Sequence, residues 1–216
     1  MQPLLHEIVI YAVPILFGLT VHEYAHGLVA DRLGDDTPRL MGRLTLNPLK
    51  HLDPIGTLVF FVTRVFGWAK PISINPDNLR SPRRDMMRIA LAGPGANFIL
   101  ALACTLVYHL LHASFFARSV ANGSGVQILL PLREMLAVGV SVNIALGMIN
   151  LIPIPPLDGG RILAGLLPEK PAAYLEKIDS YGAILLVILV LSNSLNLFFF
   201  PLLSTLTGWL LNGITY

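Results

Sequence analysis

Residues 20–30 read TVHEYAHGLVA. His22 and His26 stand four apart, and on a helix such positions stack on one face. They can therefore offer two imidazoles to one ion, with Glu23 projecting beside them. This H-E-x-x-H spacing is the zinc-protease pattern, in which the glutamate serves as general base. Zinc accepts nitrogen and oxygen ligands in a tetrahedron and can keep one position for water. No residue from Ile8 to Val21 is charged, so the motif closes a run suited to a bilayer. Charged side chains there cost at least ~2.5 kcal/mol each on insertion scales. Accidental packing of three ionisable groups is the weaker reading.

A catalytic zinc site needs a third protein ligand. Asp158, in NLIPIPPLDGGR, is the strongest candidate. Pro153, Pro155 and Pro156 cannot continue a helix, which predicts extended backbone from Asn150 to Asp158. Gly159 and Gly160 permit a tight turn and close approach just after the carboxylate. Unwound backbone is tolerated within a membrane where it lines a cavity. Glu169 and Glu176 are rivals, but they sit in a hydrophilic stretch as solvated charges. His6, His109 and His112 read as interfacial polar residues, while His51, in KHLDP of the loop, is open between a loop role and an approach to the site.

The elements that must carry these residues follow from composition. The chain has 216 residues, 54% hydrophobic and 13% charged, with mean hydropathy +0.67; soluble domains carry about 25% charge. The fold class is an all-α polytopic membrane protein of about four to six transmembrane helices, since each needs about 20 apolar residues. We expect one membrane-embedded domain over 1–216. Its spans fall near 5–33, 89–114, 135–157 and 181–199, with a further apolar stretch over 201–215. The short apolar segment 55–68 predicts a re-entrant or β-hairpin-like element between the first two full spans, flanked by GRLTL and KPISI with weak strand-like alternation. The single cysteine, Cys104, reads as a packing residue. A formal charge of +2 gives no reason to expect nucleic acid as a partner.

Lys and Arg fall unevenly: ten of fifteen lie between residues 32 and 88, and only Arg118 and Arg133 lie between the 89–114 and 135–157 spans. The positive-inside rule then places 32–88 and 161–177 in the cytoplasm and 118–133 outside. His22, His26 and Asp158 come to similar depth, toward the cytoplasmic side.

HEYAH, LAGPGAN and NLIPIPPLDGGR, in that order, resemble the signature blocks of the site-2 protease family of intramembrane zinc metalloproteases. GRLTLNPLKHLDPIGT and GWAKPISINPDNLRSPRRD resemble its small prokaryotic members, without PDZ or CBS domains. The resemblance implies that His22, His26 and Asp158 bind Zn2+ and that Glu23 activates water. It implies that Asn150 holds the substrate or polarises its carbonyl, and it adds Asn97 as a substrate-binding candidate. The expected function is a zinc-dependent intramembrane endopeptidase that cleaves membrane-spanning substrate proteins in a prokaryotic cytoplasmic membrane. The rival is a membrane zinc-binding protein or metal transporter without proteolytic activity, which has no need of Glu23.

Overall fold

The computed structural model describes residues 2–54, 56, 69–111, 126–179, 181, 182, 184, 188, 192 and 195–212. Its helices are α1 (Gln2–Leu33), α2 (Thr37–Leu40), α3 (Pro82–Leu110), α4 (Val126–Asn150), α5 (Asp158–Leu166), α6 (Glu169–Asp179) and α7 (Phe200–Asn212), the last preceded by a π-turn, Leu195–Phe199. Three helical stretches are long and apolar enough to cross a membrane: His6–Leu33, Pro82–Leu110 and Leu129–Asn150. On α3, Ile99, Leu102, Leu106 and Leu110 recur at helical spacing and are 57–70% exposed, an outward stripe suited to lipid. The protein is an all-α integral membrane protein, with no strand among the described residues.

Helix ends differ from the sequence expectation for physical reasons. α3 begins at Pro82 rather than near residue 89, because its charged first turns extend the helix beyond the apolar stretch. Proline suits that start, since its missing N–H would be unpaired there anyway. Asp85 accepts the Ser81 N–H at 2.8 Å and completes the cap. α4 ends at Asn150, and residues 151–157 form successive turns and bends rather than the extended backbone expected from Asn150 to Asp158, with both end residues helical. All of the 55–68 segment except Gly56, and with it the expected hairpin, lies outside the described residues. An isolated antiparallel bridge joins Leu52 to Ala69. GRLTL and KPISI themselves form no strand. α7 has 13 residues, about 20 Å of helix.

Chain contacts divide the protein into two compact units: Met1–Gly18, Asn97–Met148 and Leu186–Tyr216 form one, and Leu19–Ala96 with Ile149–Leu185 the other. In the first, helices close around Ala101, Val140 and Ile144, against which Cys104, Met148 and Leu206 pack. Asn97 is fully buried there. Its Nδ2 donates to the Gly18 carbonyl at 3.1 Å and to Asn143 Oδ1 at 2.8 Å. Burying an amide is costly unless it is bonded in this way.

The second unit is built around Ala30, Leu79 and Ile89, with Val29, Leu33, Ile74 and Met86 against them. α1 stops at Gly34, whose φ of +117° disfavours other residues. Gly34 N donates to Asp31 O at 3.3 Å and Asp35 N to Ala30 O at 3.0 Å, the pair of bonds that satisfies a helix's last carbonyls. Asp35, fully buried, then gathers the loop. It accepts from Asn75 N at 2.8 Å, Asn78 Nδ2 at 2.9 Å and Thr37 N at 3.2 Å. Burial pushes its carboxyl upward, but these donors outweigh burial and hold it below the usual aspartate value.

Candidate metal centre

α1 carries His22 and His26 on one face, as the four-residue spacing requires, and both are buried. The turns that follow α4 return the chain so that Asp158 opens α5. Glycine is required for that return. A Cβ on Gly159 would lie 2.3 Å from the Ile152 carbonyl oxygen, and one on Gly160 would lie 2.6 Å from Pro155 N. A carboxylate in the first turn of a helix is also favoured by the helix dipole.

His22 Nε2, His26 Nε2 and Asp158 Oδ2 converge. The nitrogens are 3.0 Å apart, and Oδ2 is 3.1 Å from the first and 3.2 Å from the second. For ligand bonds of 2.0–2.1 Å, a tetrahedron has edges of about 3.3 Å, so the triangle is close to the size that zinc demands. The protonation pattern agrees. His26 Nδ1 faces the Ile89 carbonyl oxygen at 2.7 Å and must donate to it. Nε2 of the neutral ring is then an acceptor, directed at two other basic atoms. Asp158 Oδ2 is buried with no hydrogen-bond donor of its own. A buried carboxylate oxygen without a donor, gathered with two imidazole nitrogens, calls for a cation, and the donor set fits zinc.

A backbone feature lets α3 reach the centre. A Cβ on Gly93 would lie 2.4 Å from His26 Nε2 and 2.6 Å from His22 Cε1. Gly95, two residues on, meets nothing within 4 Å. Of the two glycines in LAGPGAN, Gly93 is the one the centre needs.

Glu23 is half-buried next to His22, and its Oε2 accepts the backbone N–H of Ile72 at 2.8 Å. Asn150 is the last residue of α4, half-buried, at the start of the turns leading to Asp158. Asn97 spends both amide hydrogens on Gly18 and Asn143. His51 is buried, and its Nε2 must donate to the Thr45 carbonyl at 2.8 Å, which makes it a loop-holding residue. His22, His26 and Asp158 form the one group of three or more metal-binding side chains among the described residues. Sequence reasoning missed Gly93, the Ile89 carbonyl and the Ile72 N–H. A proline flanked by glycines inside a helix is a signal for the first; backbone groups leave none for the others.

Comparison with known proteins agrees with this chemistry. The profile of Peptidase family M50 matches residues 10–191. YwhC of Bacillus subtilis, which bears the name of a zinc metalloprotease, is 36% identical over 192 residues, covering 89% of this chain and 84% of its own. Rip2 of Mycolicibacterium smegmatis, similarly named, is 31% identical over 87% of this chain and 68% of its own. The zinc metalloprotease MJ0392 of Methanocaldococcus jannaschii is 36% identical over a shorter stretch, 41% of this chain and 22% of its own. No solved structure matches the chain. A match over most of the chain, joined to an H-E-x-x-H helix within a membrane protein, leads to one conclusion: the chain belongs to peptidase family M50, the site-2 protease family, and is a zinc-dependent intramembrane protease.

Proposed function

We propose that His22, His26 and Asp158 hold the zinc ion, and that Glu23 is the general base of peptide-bond hydrolysis within a single catalytic domain, 1–216. One observation carries this reading: Nε2, Nε2 and Oδ2 converge at 3.0–3.2 Å in a buried place, with a carboxylate on the next residue of the same helix. When bound, zinc supplies Lewis acidity, which makes a hydroxide nucleophile available near neutral pH. Glu23 takes the water's proton on its carboxylate and later delivers it to the leaving amine. Asn150 orients the scissile carbonyl with its side-chain amide. Asn97 is assigned to holding helices together rather than to substrate, because both its amide hydrogens are used between helices.

The substrate is a membrane-spanning protein whose helix is locally unwound at the cut, since helical carbonyls are hidden in hydrogen bonds. The Lys/Arg asymmetry supports an active site toward the cytoplasmic side of the membrane, and the bacterial and archaeal relatives support a prokaryotic one. A transporter or inert zinc scaffold has no use for Glu23, and peptidase-family membership disfavours both.

Zinc content and cleavage of a single-span substrate, measured together in detergent, test the assignment. His22→Ala and Asp158→Ala should lose metal and activity together. Asn150→Ala should keep zinc while turnover falls by about 100-fold. Zinc retained near one per chain in Asp158→Ala would remove Asp158 from the ligand set.

A further inference from the structure

Arg43 is buried, at 6% exposure. Among the described residues it forms no ion pair. A buried guanidinium must spend its donors on whatever acceptors surround it. Arg43 spends them on backbone carbonyls. One terminal nitrogen donates to Lys50 O; the other donates to Lys70 O and, at 3.4 Å, to Pro71 O. The planar fork of arginine suits such bridging. Lys70 N donates to His51 O at 2.9 Å, and Leu52 pairs with Ala69, so the same two stretches are also joined without Arg43.

The carbonyl of Pro71 and the N–H of Ile72 belong to one peptide unit. A trans peptide is planar, and its C=O and N–H point in opposite directions. Here the carbonyl side faces Arg43 and the N–H side donates to Glu23 Oε2 at 2.8 Å. Fixing one side of the plane aims the other.

We propose that Arg43 is a positioning residue for Glu23. It holds the Pro71–Ile72 peptide plane so that the Ile72 N–H secures Oε2 and leaves Oε1 to receive the proton. The inference rests on Glu23 being the general base. Arg43 touches no reacting atom; it acts through Ile72. A merely structural role would lower folding stability and zinc loading, whereas a positioning role lowers turnover in protein that is folded and loaded.

The test uses the purified full chain with a single-span substrate, and reads kcat, KM, zinc content and thermal midpoint. Arg43→Gln and Ile72→Pro, which deletes the N–H, should keep zinc near one per chain. Their kcat should fall about 10- to 100-fold, the scale of a misplaced reacting group. KM should stay within about twofold, since the loss falls on the transition state. Arg43→Lys, which keeps a cation and donors, should lie between Arg and Gln. Ile72→Ala keeps the N–H and should retain about tenfold more kcat than Ile72→Pro. If Arg43→Gln does not fold, Arg43→Lys decides, and wild-type kcat in it would overturn the role of Arg43. Wild-type kcat in Arg43→Gln, or equal kcat in Ile72→Pro and Ile72→Ala, would overturn the proposal. Glu23→Gln is run alongside. If it still cleaves, the assignment of the base is what fails. If it is inactive while Arg43→Gln and Ile72→Pro turn over normally, only the role of Arg43 fails.

Discussion

His26 Nδ1 donates to the carbonyl oxygen of Ile89 at 2.7 Å, and this bond determines which nitrogen of the ring is free for metal. With the proton on Nδ1, the Nε2 lone pair points at His22 and Asp158. The bond also fixes the ring plane, so α3 orients a proposed ligand that α1 carries. Gly93, one turn later on α3, brings the backbone against the same ring.

That approach leaves no room for a side chain. A Cβ at residue 93 would sit 2.4 Å from His26 Nε2, inside any real contact distance. Gly93→Ala should insert and keep its helical circular dichroism. It should lose zinc at least ~10-fold more readily to a chelator, the scale of disturbing a ligand's support. Unchanged zinc retention would mean that α3 shifts freely away from the centre.

The loop after α1 depends on Asp35 in its charged form. Asp35→Ala leaves the N–H groups of Thr37 and Asn75 and the amide of Asn78 without their acceptor. The expected cost is about 1–3 kcal/mol. The folded-state value is depressed, so the carboxylate's contribution is present above the ordinary aspartate range and is lost as pH falls through the lowered value. In EDTA-treated protein, the gap in thermal midpoint between wild type and Asp35→Ala should be full at pH 7 and narrow in strong acid. A gap independent of pH would show that packing, not charge, is what Asp35 supplies.

Orientation has its own consequence. In a Cys104→Ser background, single cysteines replacing Ser81 and Ser124 should react with an impermeant reagent from opposite sides of the membrane. Ser81→Cys should react only from the cytoplasmic side. Labelling of both from outside intact cells would reverse the placement of the active site.

How much of this was legible follows from where the information resides. His22, Glu23 and His26 announce themselves because side chains repeat at the helical period. Asp158 does so because the prolines before it cannot continue α4 and the glycines after it allow the close backbone approach that its turn requires. The three long spans were visible as uncharged runs, but their ends were not. Charge marks where lipid ends rather than where hydrogen bonding ends, and α3 runs on to Pro82. Asn97 is a substrate-binding candidate by its motif alone; the motif gives no sign that its amide is fully buried against the Gly18 carbonyl and the Asn143 side chain. The groups that orient the centre, Ile89 O and Ile72 N, are backbone atoms that every residue carries. No sequence pattern distinguishes them.

The most direct measurement is zinc content and substrate cleavage of Glu23→Gln in one preparation. Glutamine keeps the size and an acceptor oxygen for the Ile72 N–H, but it cannot take a proton at neutral pH. The variant should bind zinc near one per chain and cleave at least ~100-fold more slowly than wild type, as loss of a general base requires. Cleavage at the wild-type rate would contradict the hydrolytic role of Glu23, and loss of zinc would make it a ligand instead.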